Sequence, residues 1–296
     1  MTKKVLKYSI ILVLAILFVF QFIIGWHRVG DKTMENTIYE NELVWVNKLP
    51  VGAWFLGMKM PAFGSLDYLD VICFAHPEIN DAPMYEKPRL LSRIVGKPGD
   101  RVQIIRKELF VNDSALLSPD SATYGYRIIF KEGVDAEGFF TENKISQHKT
   151  LIDSMGIFEV PLTNKMASRL QNDERVDYVR MLKTIKGGAN RIFPKNPYRS
   201  WSEDDFGPLK VPKKGDIVTL TYRNIDIYKN IIVNFEGNTL RKHVDQIYIN
   251  DKRSNSYTIK ENYYFVIDDN RDWFFDSREW GFVPEKYIIG KVMGIE

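Results

Sequence analysis

The chain has 296 residues, 45% of them hydrophobic and 27% charged, so it is long enough to bury one large or two medium cores. Lysine and arginine (41) nearly balance aspartate and glutamate (38), and no long basic block is present, which argues against nucleic-acid binding. The only cysteine is Cys73, and the four histidines are widely spaced. The sequence therefore predicts no disulfide framework, no metal site and no cofactor.

The first 26 residues differ from the rest of the chain. Three lysines precede an apolar stretch from Tyr8 to Gly25, which as a helix would be about 27 Å long, enough to cross a bilayer. The stretch is long for a cleaved signal peptide, and no small-x-small cleavage site follows it. We therefore predict a cytoplasmic N-terminus at 1–7 and an uncleaved anchor at 8–26. The remaining chain would lie on the outer, periplasmic side of the inner membrane.

Beyond the anchor, short β-branched and aromatic runs separated by Gly, Asn, Asp and Pro predict a mainly β fold. The runs are Glu42 to Lys48, Asp70 to Phe74, Arg101 to Ile105, Leu109 to Asn112, Asp216 to Tyr222 and Gln246 to Asn250. In Asn164 to Lys186 the apolar residues instead recur at helical spacing, with a short interruption. Thr163 could cap the start of this helix and Gly187-Gly188 its end. We predict one β domain in two parts, 27–116 and 213–296, around a β-rich and partly helical insertion at 117–212.

One apolar loop, from Val51 to Phe63, contains Trp54, Phe55 and Leu56 among glycines and a proline. It can be interpreted as a cover over the core. It can also be interpreted as a loop that dips into the membrane surface or lines a groove for an apolar peptide. Because the loop follows the anchor closely, we take it as a membrane loop.

Four sequence blocks carry a resemblance to a known family. They are Asp31 to Ile38 followed by Val46-Asn47-Lys48, Leu69 to Phe74, Ser92 to Asp100, and Asp268 to Gly281. In this order and behind an anchor, they resemble the bacterial type I signal peptidases of family S26, over almost the whole chain. The last block is the most specific, and it resembles the family's Gly-Asp-Asn-Arg-Asp-Asn-Ser-x-Asp-Ser-Arg-x-Trp-Gly. The resemblance implies a signal peptidase I-like β fold with an inserted subdomain.

The resemblance also implies a mechanism in which a serine attacks the peptide and a neutral lysine takes its proton. Here the nucleophile position holds Thr33 and the general-base position holds Ser92, which cannot accept a proton near neutral pH. The oxyanion position holds Asp31, whose charge would oppose the developing oxyanion. The base-orienting position holds Phe274, which cannot donate a hydrogen bond.

The positions that the family uses as a structural frame are retained. They are Arg93, Asp269, Arg271, Asp276 and Arg278, with Asn270, Asp272, Trp280, Gly281 and the Pro98-Gly99-Asp100 turn. The losses therefore fall on the residues that carry the chemistry. This pattern indicates a fold that is maintained for something other than cleavage.

Two functions follow from the resemblance. The first is a catalytically impaired homologue, a pseudoenzyme that binds signal peptides of secreted preproteins or an active paralogue at the lipid bilayer. The alternative is an active serine-type signal peptidase with a non-standard dyad, in which Lys97, Lys87 or His76 replaces the base. Against these three substitutes, Lys97 lies in a tight turn, Lys87 is expected on the surface beside Pro88, and His76 is near a strand end.

Overall fold

The computed structural model describes residues 2–79, 81–145, 149–153, 156–184, 192–196, 198–244, 246–273 and 275–295. Its α-helices are α1 (Thr2–Phe22), α2 (Ala136–Glu142), α3 (Asn164–Leu170), α4 (Ile225–Asn230) and α5 (Ser277–Trp280). A π-helical turn, Ile231–Phe235, continues α4, and a 3₁₀ turn covers Glu285–Tyr287. The first strands are β1 (Ile24–Arg28), β2 (Leu43–Asn47), β3 (Trp54–Phe55), β4 (Met58–Lys59), β5 (Val71–Ala75), β6 (Arg89–Gly96), β7 (Arg101–Ile105), β8 (Glu108–Val111), β9 (Ser114–Leu116), β10 (Thr123–Phe130) and β11 (Thr150–Asp153). The remaining strands are β12 (Ile157–Thr163), β13 (Val176–Met181), β14 (Phe206–Lys210), β15 (Ile217–Thr219), β16 (Leu240–His243), β17 (Gln246–Ile249), β18 (Lys252–Arg253), β19 (Ser256–Thr258), β20 (Tyr263–Ile267), β21 (Val283–Pro284) and β22 (Ile288–Val292).

The N-terminal helix α1 is long and apolar enough to cross a membrane between Lys4 and Phe22, and this segment is not buried against the rest of the chain. The helix ends before the predicted end of the anchor at Trp26. Two of its C-terminal carbonyl oxygens, those of Phe20 and Gln21, accept hydrogen bonds from Lys48 Nζ at 2.7 and 3.2 Å. Trp26 lies in β1 and pairs with Trp45 of β2.

The central sheet of the described residues has seven strands in the order β1-β2-β22-β5-β6-β20-β21. Its inner strands β5 and β20 are buried along their whole length, because VICFA and YYFVI are continuous apolar runs that pack on both faces. One position needs glycine: a Cβ at Gly290 of β22 would lie 2.3 Å from the Asn47 carbonyl oxygen. The mainly β prediction is confirmed.

A second sheet, in the order β11-β12-β10-β13, forms its own core with α2 and α3. Four phenylalanines stack edge to face in this core, with ring centroids 4.9 to 6.1 Å apart. Thr163 caps α3 as predicted, because its hydroxyl accepts a hydrogen bond from the Met166 N–H at 3.1 Å.

The helix predicted over Asn164 to Lys186 is wrong beyond Leu170. Val176–Met181 is a strand that pairs antiparallel with β10. The sequence VDYVRM contains β-branched and aromatic residues, which favour a strand. Pairing with the free edge of β10 stabilises this segment more than a short isolated helix would. The predicted stop at Gly187-Gly188 lies outside the described residues. β14 pairs with β7 although it falls inside the predicted insertion, and the division at 117 and 212 stays a prediction.

Backbone hydrogen bonds bring three distant segments together next to the central sheet. The Asn270 N–H donates to the Thr33 carbonyl oxygen at 2.9 Å. The Thr123 N–H donates to the Asp269 oxygen, and the Arg271 N–H returns a bond to the Thr123 oxygen. The segment after β20 is thus held between the loop after β1 and the start of β10, which fixes the surroundings of Thr33.

Candidate functional site

The predicted nucleophile, Thr33, lies in the turn that follows β1. Its hydroxyl donates a 2.7 Å hydrogen bond to Asp31 Oδ1, and its backbone N–H donates to the same oxygen at 3.0 Å. One carboxylate oxygen therefore takes both hydrogen-bond donors of Thr33. A developing oxyanion would have to compete with this carboxylate for the N–H group.

Ser92, at the predicted base position, lies on β6 opposite Ile72 of β5. Its hydroxyl donates a 2.5 Å hydrogen bond to Asp268 Oδ1. Both residues are buried, with 1% of Ser92 and none of Asp268 exposed. The base position is thus closed by a hydroxyl–carboxyl pair.

Asp268 makes two further hydrogen bonds. Its Oδ2 accepts from the Phe275 N–H at 2.8 Å, and its own N–H donates to Asp276 Oδ2 at 3.0 Å. Burial, followed by the negative charge of Asp276, raises the pKa of Asp268 well above its ordinary value, although the bonds from Ser92 and Phe275 act in the opposite direction. The Asp268 carboxyl therefore keeps its proton to a higher pH than an exposed aspartate does.

Asp268 is the site residue that our sequence interpretation missed. It stands at the first position of the last block, where the type I signal peptidase motif has glycine. That difference was the available signal, because a carboxylate in place of a residue without a side chain changes both the volume and the charge of the site. Only the structure places this carboxyl against Ser92.

The first frame pair joins Arg93 and Asp269. Two parallel hydrogen bonds of 2.9 and 2.6 Å connect the guanidinium to the carboxylate, and Arg93 Nη1 also donates to the Leu69 oxygen at 2.7 Å. Thr37 adds a 2.5 Å hydrogen bond to Asp269. Burial alone would raise the pKa of Asp269, but the hydrogen bonds and charge of Arg93 outweigh it and lower the pKa.

The second frame pair joins Asp276 and Arg278, whose charged groups are 2.7 Å apart and almost fully buried. Asp276 also caps α5 by accepting a hydrogen bond from the Arg278 N–H at 2.9 Å. Arg271, a third buried cation, donates to the Ser118 hydroxyl at 3.3 Å, and burial lowers its pKa.

Sequence comparison with known proteins identifies the family of the chain. The sequence profile of the family described as "Signal peptidase, peptidase S26" matches residues 2–161 and 253–295, which is more than half of the chain. The chain belongs to this signal peptidase family.

Individual relatives are distant or match locally. Signal peptidase I of Haemophilus influenzae is 25% identical over 290 residues, which cover 96% of this chain and 66% of that protein. Signal peptidase I of Aquifex aeolicus is 22% identical over 300 residues, covering 100% of this chain and 84% of that protein. Signal peptidase I of Buchnera aphidicola subsp. Baizongia pistaciae is 50% identical over 44 residues, covering 15% of this chain and 14% of that protein.

The three substitute bases considered for this signal peptidase homologue contact other groups. Lys87 is buried, not at the surface as predicted, because its ammonium donates to the Tyr287 hydroxyl at 2.8 Å and stacks on that ring. Lys97 pairs with Asp67 at 3.5 Å and lies over the Tyr68 ring. The His76 ring packs on Phe275, and burial lowers its pKa.

Two further predictions concern the surroundings of the site. Phe274, at the base-orienting position, lies outside the described residues. In the parts of the chain that the structure describes, no group of three His, Cys, Asp or Glu side chains is arranged to hold a metal ion. The side-chain hydroxyls of Thr33 and Ser92 donate to Asp31 and Asp268, as described above.

The apolar loop of this signal peptidase homologue forms a short hairpin from β3 and β4, next to α1. Phe55 packs on Phe22 of α1 with ring centroids 5.3 Å apart, and Gln21 of α1 donates to the Trp54 oxygen. Trp54 is half-buried and its indole donates to the Lys286 oxygen at 3.3 Å. Leu56 at the hairpin tip is 82% exposed. The hairpin therefore presents apolar side chains to its surroundings beside the end of α1.

Proposed function

We propose that this protein is a membrane-anchored signal peptidase homologue that binds the ends of signal peptides without cleaving them. The single observation that carries the proposal is the buried Ser92–Asp268 hydrogen bond at the position of the general base. A serine hydroxyl cannot accept a proton near neutral pH, and Asp268 is engaged with Ser92 and with the Phe275 N–H.

The contacts of Thr33 support the same proposal. An attack would require its hydroxyl proton to leave and its N–H, or a neighbouring donor, to stabilise the oxyanion. Both donors of Thr33 point to Asp31, whose negative charge opposes a second negative charge nearby. The methyl group of threonine also restricts χ1 relative to serine.

A peptide-binding mode remains available at the edge of the central sheet. β1 ends the strand order and, among the described residues, pairs with β2 on one side only. The chain continues from β1 through Val29 and Gly30 to Asp31 and Thr33. An extended signal-peptide end can therefore add to β1 as a further strand and reach Thr33, with the main chain supplying the hydrogen bonds.

The membrane part of the proposal rests on α1 and on the three lysines at its start. A bilayer-spanning α1 with these lysines in the cytoplasm puts the β domain on the periplasmic side. In this position the protein is a companion of the secretion machinery, and its partners are preproteins, the bilayer and an active signal peptidase paralogue.

The test is a cleavage assay with the full-length protein in detergent, using a preprotein with an Ala-x-Ala site at pH 7 and pH 9. Signal peptidase I of Haemophilus influenzae serves as the positive control. We expect no product above the enzyme-free reaction, and no difference between the wild type and Thr33→Ala. Turnover that disappears in Thr33→Ala would overturn the proposal.

A binding arm tests the groove separately. A photo-crosslinking amino acid at Arg28, exposed on β1, should capture a radiolabelled signal peptide, and the unlabelled peptide should compete. The matched control carries the same group at Tyr178, which is exposed on β13 of the insertion. Equal capture at both positions would remove β1 from the proposal.

One observation favours a second candidate, an active peptidase. The 2.7 Å hydrogen bond from the Thr33 hydroxyl to Asp31 is a geometry in which a carboxylate takes the nucleophile's proton. In this candidate the proton passes from Thr33 to Asp31 and then to the leaving amine. The same assay decides, because activity would be abolished by Asp31→Asn as well as by Thr33→Ala.

A further inference from the structure

A cavity of about 450 Å³ lies where α1 meets the β domain, and its lining does not include Asp31, Thr33, Ser92 or Asp268. Its wall contains Gln21 near the end of α1, Trp54 and Phe55 of the hairpin, and two cationic residues, Lys48 and Arg89. The cavity thus combines an apolar side with a positively charged side. Lys48 belongs to the Val46-Asn47-Lys48 block, but its ammonium hydrogen-bonds to the end of α1 and not to Thr33 or Ser92.

Within the part of the chain that the structure describes, neither cation has an acidic partner. Among the described residues, Lys48 donates to the carbonyl oxygens of Phe20 and Gln21, and Arg89, which is exposed, has no ion pair. An ammonium has three N–H donors, so one donor of Lys48 remains, and a guanidinium has five. Burial, followed by the charge of Arg89, lowers the pKa of Lys48. An anion in the cavity would relieve this repulsion.

The position of the Lys48 side chain is fixed by its surroundings. A Cβ at Gly25 would lie 3.0 Å from Lys48 Cε, so the absence of a side chain at Gly25 lets the lysine pass close to β1. The ammonium then reaches the last turn of α1. The cation is therefore held at the level where α1 would leave the bilayer, which is the level of lipid phosphates.

We propose that this cavity binds the headgroup phosphate of one anionic phospholipid, with Arg89 and Lys48 as its cationic contacts. One acyl chain lies along the hairpin, over Phe55 and Leu56. Charge complementarity selects this occupant, because two cations that have no acidic partner among the described residues line the cavity beside an apolar wall. The inference rests on the anchoring of α1 in a bilayer, which is part of the proposed function.

The test uses the full-length protein in detergent with equimolar phosphatidylglycerol and phosphatidylcholine, followed by native mass spectrometry. We expect one retained phosphatidylglycerol, at least tenfold enriched over phosphatidylcholine. Arg89→Gln should reduce its retention at least fivefold, and Arg89→Lys should restore most of it. Arg253→Gln, which removes an exposed arginine from β18 on a different sheet, is the matched control and should retain the lipid.

A second readout reports on the acyl chain. Phosphatidylglycerol with brominated chains should quench a component of the tryptophan fluorescence that is missing in Trp54→Phe, whereas brominated phosphatidylcholine should quench it much less. Equal retention of both lipids, or unchanged retention in Arg89→Gln, would overturn the proposal. Quenching of Trp54 by a signal peptide instead of by the lipid would also overturn it.

Failure of the anchoring and failure of the lipid site can be distinguished. Carbonate-washed membranes are examined first for the full-length protein. Its release by carbonate would contradict the anchoring itself. Firm membrane retention without selective phosphatidylglycerol binding would overturn the lipid site alone.

Discussion

Ser92 donates a 2.5 Å hydrogen bond to Asp268. Ser92 lies on β6, and Asp268 directly follows the neighbouring strand β20. Both residues differ from the signal peptidase motif, which has lysine at the position of Ser92 and glycine at the position of Asp268. The two changes are therefore in direct contact. At the base position, a hydroxyl and a carboxyl group fill the buried space and satisfy each other's hydrogen bonding.

The first prediction is that Ser92→Lys alone does not restore cleavage. A lysine at this position would lie against Asp268 and form a buried ion pair, which keeps the ammonium charged and unable to act as a base. Asp31 would still oppose the oxyanion. The measurement is preprotein cleavage by the full-length variant in detergent. Robust cleavage by this single variant would contradict our interpretation of Asp31 and Asp268.

The control for that experiment is a combined variant that introduces the family residues at all the changed positions. It contains Asp31→Ser, Thr33→Ser, Ser92→Lys, Asp268→Gly and Phe274→Ser. Catalytic groups act as a unit with strongly non-additive effects, so we expect activity only in this set, if the frame is intact. Omitting Asp268→Gly from the set should abolish the gain.

The second prediction concerns the pH dependence of stability at Asp268. Because its pKa is raised in the folded protein, the folded state binds this proton more tightly than the unfolded state does. The carboxyl therefore lowers stability as pH rises above the ordinary aspartate range, by about 1.4 kcal/mol for each unit of difference in pKa. Asp268→Asn removes this titration, so its melting temperature should exceed that of the wild type more at pH 8 than at pH 4.5.

The third prediction is the opposite behaviour of the neighbouring carboxyl, Asp269. Its pKa is lowered by Arg93, so its stabilising effect is present above the ordinary aspartate pKa and is lost as pH falls through the folded value. Asp269→Asn leaves the Arg93 charge buried without its partner. We expect it to destabilise the protein by about 3 to 5 kcal/mol at pH 7, measured by denaturant unfolding. An Asp269→Asn variant that is as stable as Asp268→Asn at pH 7 would contradict this assignment.

Sequence patterns predict the parts of this molecule that depend on local or motif information. The continuous apolar run at β5 predicts a buried strand, and Thr163 predicts a helix start. The strand at Val176–Met181 could not be predicted in this way, because it forms by pairing with β10, which is distant in the sequence. The same limit applies to Lys87, whose partner Tyr287 is 200 residues away.

The site shows a similar division. Thr33, Ser92 and Asp31 can be located from the motif blocks, but their hydrogen bonds cannot. A motif comparison treats each position independently, whereas the Ser92–Asp268 contact joins positions 176 residues apart. The physical meaning of either substitution depends on the other, so a position-by-position interpretation finds a missing base and misses the carboxyl beside it.

The last prediction concerns the membrane contact of the apolar hairpin. The most exposed apolar side chains in and after the hairpin are Leu56, Phe63 and Met58, at 82%, 74% and 65% exposure. Trp54 is half-buried and hydrogen-bonded to Lys286, so replacing its large ring with serine would also disturb the packing of the hairpin. The fragment to test begins at Ile23, because β1 starts at Ile24 and a cut after Trp26 would divide it.

This fragment should co-sediment with neutral phosphatidylcholine vesicles. Burying one large apolar side chain is worth about 1.5 to 3 kcal/mol, so partial insertion of three is enough to hold the domain on a bilayer. Changing Leu56, Met58 and Phe63 to Ser should release it. The matched control changes three other exposed apolar residues to Ser, namely Leu117, Ile217 and Val244. Neutral lipid is required because the net charge of +3 would attract the protein to anionic vesicles without insertion. A folded fragment that stays in the supernatant, or equal release by both triple variants, would show that the hairpin is a cover over the groove.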